Sequence, residues 1–289
     1  MKILISGGTS FLGRSLIPKL QKKKCQILLF TSNKGHFKAK KIFDKKKLKI
    51  INKSQLNFIE QFKPDLFLNL QTMYSYNANL KNISDLVDSN IKIPLQLLSL
   101  SSKTIKRLIS PSTYYIYNKS LKNIKPINFF ASLKYAFSAI AEQEAENNEF
   151  NYDEVVVYDT FGEKDVRNKL LNQIKRNFLI NKEVKMSPGN QILDLSHIDS
   201  ISDGFINLIF EKKKIRKLKR TLFASTYNRL TLKQLIKKCE INKKENLNIK
   251  WGALNYRKNE IMSPVKPKIK QNICKKDDLN LRLNKFLND

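Results

Sequence analysis

The first thirteen residues constrain this chain most tightly. Lys2 to Ser6 is a short apolar run with β-branched residues, which predicts a buried strand. It stops at Gly7 and Gly8, and Gly13 follows shortly after. From Phe11 to Leu20 the spacing becomes helical, with Leu12, Leu16 and Leu20 on one face. A glycine-rich turn between strand and helix lets main-chain N–H groups approach an anion. The helix N-terminus beneath adds about half a positive charge. A pyrophosphate-binding turn is the sharper expectation, and a tight strand-to-helix turn without a ligand is the plainer alternative.

The strand–helix rhythm continues. Gln26 to Thr31, Leu48 to Asn52, the end of Lys63 to Leu70 and Lys106 to Ser110 read as strands, and Glu154 to Gly162 as a strand running into a loop. Ser54 to Phe62, Asp85 to Ser101 and Phe129 to Asn147 read as helices, and Lys34 to Lys47 as a basic, loop-like stretch. Such alternation predicts an α/β fold, a Rossmann-type doubly wound parallel sheet with helices on both faces. Beyond Gly162 the rhythm loosens. Lys169 to Phe178, Ile201 to Phe210 and Thr231 to Lys238 look helical, and Lys212 to Arg220 reads as a solvated charge run. The expected division is a dinucleotide-binding domain over 1–160 and a smaller, mainly substrate-binding lobe over 161–289, with segments folding back on the sheet.

Composition narrows the function classes. The 289 residues carry 55 Lys+Arg against 25 Asp+Glu, a formal charge of +30. That field suits anionic partners. It also fits a general drift toward lysine, because the cations are spread over the chain. No nucleic-acid module is recognisable, so a nucleic-acid partner is not expected. Cys25, Cys239 and Cys274 lie far apart, and there are only two histidines, His36 and His197. Neither a disulfide framework nor a metal site is expected. No apolar run reaches membrane length, so no membrane insertion is expected and a cytoplasmic protein follows.

Further stretches carry a resemblance. "GGTSFLG" resembles the GxxGxxG turn of extended short-chain dehydrogenases/reductases, with Ser10 at the middle glycine. "KPDLFLNLQT" is similar to KPDxVIHLA, "PINFFASLKYAF" to PVNLYAATKxAF, and "YDTFGEKDVRNKLL" to DTYGPxDxRxKLI. "GNQILDLSHIDSI" and "WGALNYRKNEIM" resemble GxxxxDxxHVDDV and FGAxPYRxxExM. The resemblance runs from Met1 to about Pro267. It points to the NAD-dependent epimerase/dehydratase family, and within it to nucleotide-sugar 4-ketoreductases of the CDP-abequose-synthase kind. It implies a reductase or epimerase in surface polysaccharide or O-antigen sugar biosynthesis, with a nucleotide-sugar substrate. Dimerisation is common in the family, and a homodimer is carried as an expectation.

The resemblance also assigns residues. Gly7, Gly8, Ser10, Phe11, Leu12 and Gly13 would hold the cofactor diphosphate, with Lys34, Asn90 and Lys134 also toward the cofactor. Thr72, Arg167 and Arg257 would face the substrate. Thr113 stands at the catalytic Ser/Thr position and Lys134 at the catalytic lysine. The second strand ends in "TSNK", without the acid that usually holds a free ribose 2′-OH. NADP is therefore expected, with NAD kept as the alternative.

One position departs from the pattern. Counting back four residues from Lys134 places Phe130 where the family's catalytic tyrosine stands. The pair shares a helical face, but a phenyl ring has no proton to give. General acid–base help is typically worth about 10²–10⁴-fold. Tyr114, Tyr115, Tyr117 and Tyr135 are the tyrosines nearby in sequence. Two readings stand: an enzyme with another proton donor, or a catalytically silent NADP- or nucleotide-sugar-binding protein. Asp194 and His197 read as structural hydrogen-bonding groups, and Glu260 is left unassigned.

Overall fold

The computed structural model describes residues 1–44, 46, 48–76, 78–180, 182–212 and 218–289. Residues 33 and 34 are described by their backbone only. The side-chain expectation for Lys34 thus lies outside the described residues.

Seven strands form one sheet. In chain order they begin with β1 (Lys2–Ser6), β2 (Gln26–Phe30), β3 (Leu48–Ile51) and β4 (Leu66–Asn69). β5 (Arg107–Thr113) and β6 (Asn151–Val157) follow, and a late strand, β10 (Lys219–Ala224), completes the sheet beside β6. All pairings are parallel, with the order β3-β2-β1-β4-β5-β6 and then the late strand. The order reverses beside β1, so β1 and β4 diverge at the switch point where open α/β sheets bind ligands.

Strand alternation fills both faces. Ile3 and Ile5 of β1 point to one core, with Leu16, Ile17 and Leu20 of α1 (Phe11–Gln21) and with Phe205 from a later helix, Ile198–Ile209. Leu4 points to the other, with Ile59 of the short helix Asn57–Phe62, Leu97 and Leu98. Phe137, Ala141 and Ala145 of the long helix Phe129–Asn148 join that face. One sheet with apolar residues on both sides needs helices on both sides, which is what the continuous apolar strands foreshadow.

Four expectations are corrected. The stretch expected as a basic loop contains α2 (Asn33–Ile42), capped by Ser32 and fixed by buried Ala39 and Phe43. The single helix expected over Asp85 to Ser101 is two α-segments, Ile83–Val87 and Ile93–Ser101, joined by a π-turn over Asp88–Lys92. Where a strand running into a loop is expected over Glu154 to Gly162, there are two strands: β6 stays in the main sheet, while β7 (Asp159–Phe161) enters a second one. Lys219 and Arg220, expected in a solvated loop, begin the seventh strand of the main sheet. Residues 213–217 of that expected loop lie outside the described residues.

The second sheet takes β7, β9 (Ile192–His197) and β11 (Asn228–Thr231), and a two-stranded pair joins β8 (Val184–Lys185) to β12 (Ile249–Lys250). A third core gathers Phe161, Leu171, Leu195, Leu235 and Phe286 around them. Helices Leu170–Ile180, Leu232–Lys243 and Leu279–Asn288 supply its walls. At the opposite end of β5 from the switch point, buried Asp153 accepts from Arg107 Nε at 2.5 Å and Arg220 Nε at 2.7 Å. Arg107 also donates to the Leu208 carbonyl at 2.8 Å, which ties three adjacent strands to the Ile198–Ile209 helix.

Candidate functional site

The glycine turn is built by exclusion. Gly7 sits at φ +69°, and a Cβ there would lie 2.5 Å from the Gln71 nitrogen. A Cβ on Gly13 would lie 2.3 Å from the Gly8 carbonyl oxygen. One glycine thus lets β1 turn against the end of β4, and the other seats α1 on the turn. Ser10 caps α1, its Oγ accepting from Gly13 N–H at 3.1 Å. That spends the serine's acceptor on the helix. The N–H groups of Phe11 and Leu12 have no intrahelical carbonyl to bond, so the turn keeps main-chain donors for an anion.

The end of β4 connects this turn to the catalytic-type residues. Lys134 lies on the inner face of the Phe129–Asn148 helix, 4% exposed, and its Nζ donates to the Gln71 carbonyl at 3.2 Å. Thr72 Oγ donates to the same oxygen at 2.7 Å. Burial lowers the Lys134 ammonium to about 7, because a charged amine is disfavoured away from water. Phe130 is 8% exposed, with the Lys134 Nζ 5.9 Å from its ring centre. Asn128 caps this helix, accepting from Ala131 N–H at 2.8 Å. Thr113 ends β5, and its Oγ accepts from Tyr115 N–H at 3.3 Å.

Asn90 sits in the π-turn, fully buried. Its Nδ2 donates to the carbonyls of Met73 at 2.8 Å and Leu86 at 2.9 Å, while its Oδ1 is buried without a partner. Its amide therefore fastens the loop after β4. At the end of β2, Thr31 is buried with its Oγ unpartnered, and α2 begins immediately after. A Cβ at Gly35 would lie 3.7 Å from Thr9 Oγ, so the starts of α1 and α2 meet at one crest. The segment from Thr31 to Lys41 contains no carboxylate.

Residues after β6 supply the remaining candidates. Arg167 donates to Asp165 Oδ2 at 2.7 Å and the Thr160 carbonyl at 3.0 Å, and stacks 4.4 Å over Phe11. It thus roofs the glycine turn with most of its donors already engaged. Arg257 is exposed, 4.8 Å from the Tyr76 ring. Asp159 accepts from the Tyr114 hydroxyl at 3.2 Å, and burial raises its carboxyl to about 6. Asp194 is fully buried and accepts from Ser225 at 2.7 Å and Arg229 at 3.1 Å. His197 caps the Ile198–Ile209 helix through Nδ1 and meets Glu163 at 3.0 Å through Nε2. Both bind within the fold. Glu260 Nα donates to the Arg257 carbonyl at 2.9 Å.

Sequence reasoning missed Tyr74. Its ring meets Phe130 edge-on at 5.1 Å, with the Lys169 Nζ 4.2 Å above it. Tyr74 is far from Phe130 in sequence, and only the parallel order of β4 and β5 brings their following segments together. By contrast, Tyr135 is exposed on the outer face of its helix, and Tyr114 and Tyr117 are buried.

Residues 3–221 match the NAD dependent epimerase/dehydratase family. The chain belongs to that family. It is 26% identical over 268 residues to CDP-abequose synthase of Yersinia pseudotuberculosis, covering 91% of this chain and 92% of that protein. Among solved structures, it resembles a Tyr→Phe variant of UDP-glucuronic acid 4-epimerase from Bacillus cereus, crystallised with UDP-4-deoxy-4-fluoro-glucuronic acid and NAD. The TM-score is 0.87 at 16% identity, covering 100% of this chain and 98% of that one. UDP-N-acetylglucosamine 4-epimerase from Methanobrevibacter ruminantium, in complex with UDP-N-acetylmuramic acid, gives a TM-score of 0.82 at 15% identity, over 99% and 97% of the two chains. At these identities the structural likenesses establish the extended dehydrogenase-type fold. Among the described residues, no helix is long and apolar enough to cross a membrane, and no cluster of His, Cys, Asp and Glu is arranged to hold a metal.

Proposed function

We propose that this family member is an NAD(P)-dependent 4-ketoreductase or epimerase of a nucleotide-linked sugar, serving surface polysaccharide synthesis. One observation carries the reading. The Gln71 backbone packs against Gly7 and receives Lys134, which joins a pyrophosphate-type cradle to the family's lysine. The turn fits a dinucleotide diphosphate because its shape depends on glycine: a Cβ at Gly7 would strike the Gln71 backbone and one at Gly13 the Gly8 carbonyl, which leaves the α1 N-terminus close to the end of β1. Gly7, Gly8 and the N-terminus of α1 through Ser10, Phe11, Leu12 and Gly13 would hold the diphosphate. Lys134 would reach the nicotinamide ribose once released from Gln71. A bound nicotinamide supplies or accepts hydride at the sugar carbon. Thr113 would hydrogen-bond the sugar oxygen, and Thr72 and Arg257 would line the substrate side. Arg167 would shield the diphosphate from above, holding its shape through Asp165.

NADP is favoured over NAD by the carboxylate-free start of α2, where buried Thr31 keeps an unpartnered hydroxyl beside a helix N-terminus. A cytoplasmic setting and a homodimer complete this reading. The relationship to CDP-abequose synthase supports CDP- and dTDP-linked 4-keto-6-deoxy sugars as the first substrates to try.

Phe130 favours a second reading, a protein that binds the dinucleotide and sugar nucleotide without turnover. NADPH oxidation across a panel of 4-keto-6-deoxy nucleotide sugars separates the two. Turnover by the native chain supports the reductase. Binding of both ligands by calorimetry with no turnover in native protein supports the silent binder.

A further inference from the structure

We propose that Tyr74 is the proton donor that replaces the missing phenol at position 130. This rests on the reductase reading above. A Tyr–Lys pair on one helix would normally place a phenol beside an ammonium. Here the helix keeps Lys134 but presents Phe130. The ring in edge contact with Phe130 is Tyr74, at 5.1 Å; Lys169 Nζ lies over its face, 4.2 Å from the ring centre, and the Arg257 guanidinium is the cation that favours its phenolate. A phenol with a cation acting on it is thus supplied by the loop after β4 and by Arg257.

The setting suits the task. Tyr74 is 40% exposed, whereas Phe130 is buried. Its backbone is held on the N-terminal side, where Asn90 Nδ2 bonds the Met73 carbonyl at 2.8 Å and Thr72 bonds the Gln71 carbonyl. The other neighbouring phenols are committed. Tyr114 is buried against Asp159, Tyr115 leans on Tyr114 with ring centres 4.4 Å apart, and Tyr135 is on the outer face. Arg257, Tyr76, Asp159 and Glu260 also face Tyr74 electrostatically, and of these Arg257 is the one that favours its phenolate.

The step balances. The substrate carbonyl carbon takes hydride from a reduced nicotinamide dinucleotide, and the C=O π pair moves to oxygen. That oxygen forms a new O–H bond as the Tyr74 Oη–H bond breaks. The phenolate left behind, favoured by the Arg257 guanidinium, regains its proton from solvent.

Tyr74→Phe keeps the ring and removes the donor. We expect it to lower kcat by at least about 10²-fold, with KM and calorimetric NADPH affinity within threefold of native. Phe130→Tyr in the Tyr74→Phe background should recover tenfold or more. In ligand-free protein, the tyrosinate absorbance that Tyr74→Phe removes isolates one phenol, and Arg257→Gln should move its midpoint upward. A native rate preserved in Tyr74→Phe overturns the proposal, as does an unmoved midpoint. Turnover by Phe130→Tyr but not by native protein overturns the proposal and leaves the reductase scaffold standing. Turnover by neither, across the sugar panel, overturns the reductase reading itself.

Discussion

The Lys134 ammonium donates to the Gln71 carbonyl at 3.2 Å, and the same Gln71 peptide bounds the space a Cβ on Gly7 would need. Three elements distant in sequence therefore meet on one main-chain unit: the β1 turn, the end of β4 and the inner face of the Phe129–Asn148 helix. The loop that follows Gln71 carries Tyr74, and Asn90 fixes it from the π-turn. The crest is a small lattice of backbone contacts. Its shape depends on absent side chains as much as on present ones.

Gly7→Ala should damage both the fold and the cradle. The left-handed φ of +69° costs an alanine roughly 1–2 kcal/mol, and the 2.5 Å approach to backbone atoms cannot be relieved by a rotamer change. We expect a loss of about 2–4 kcal/mol in denaturant unfolding and no measurable NADPH binding by calorimetry. Gly13→Ala should behave alike, since its obstacle is the Gly8 carbonyl. Native-like binding in both variants would contradict the cradle.

Lys134→Met should stabilise the ligand-free protein in a pH-dependent way. Burial lowers the folded-state value to about 7, so from about pH 7 to the ordinary lysine value of ~10.4 the unfolded chain binds more protons. Stability from this group rises with pH across that window. Its penalty is fully present below about pH 7, with an upper bound of about 5 kcal/mol from the shift. The variant's gain should thus be larger at pH 6 than at pH 9. The Gln71 carbonyl retains its bond from Thr72, so no acceptor is orphaned. An equal gain at both pH values would contradict a buried charge.

Much of this was legible in the sequence, for identifiable reasons. Lys2–Ser6, the glycines and the Leu12–Leu16–Leu20 stripe encode β1, the turn and α1 by local pattern alone. The parallel sheet followed from apolar strands alternating with helices. Helix α2 was hidden because its lysines mask a pattern anchored by little more than Ala39. The seventh strand was hidden because Lys219 and Arg220 look solvated, while their charges pair with Glu142 at 2.7 Å and with Asp153. The split at Tyr158 was invisible because both halves are β-prone and only tertiary pairing divides them. Tyr74 escaped for a related reason: contact with Phe130 is set by strand order, which local periodicity does not carry.

Asp153→Ala should destabilise strongly. It strips two guanidinium groups, Arg107 and Arg220, of their shared carboxylate in a buried setting. Breaking a buried pair by removing one partner typically costs about 3–5 kcal/mol. Glu211 remains bonded to Arg220 at 2.9 Å and softens the loss on that side. Chemical denaturation should therefore show a drop of about 3 kcal/mol, with the larger rescue coming from a second change at Arg107. A drop below about 1 kcal/mol would mean the network is screened as a surface pair would be.

Asp159→Asn should do the reverse at neutral pH and nothing in acid. Burial raises the Asp159 carboxyl to about 6 against the ordinary aspartate value. Between ~3.9 and about 6 the folded chain binds more protons than the unfolded one, so stability from this group falls as pH rises through that window. Above it the full penalty of a poorly solvated carboxylate is present. Asparagine keeps an oxygen to accept from the Tyr114 hydroxyl and removes the charge. The Lys169 ammonium, which favours the carboxylate, loses its neighbour and limits the gain. The net expectation is about 1–2 kcal/mol of added stability at pH 7.5, and none at pH 3, where both states of the native chain are protonated at this site. Guanidinium unfolding at the two pH values decides it: a loss at pH 7.5 would show that attraction to the Lys169 ammonium outweighs the cost of burying Asp159.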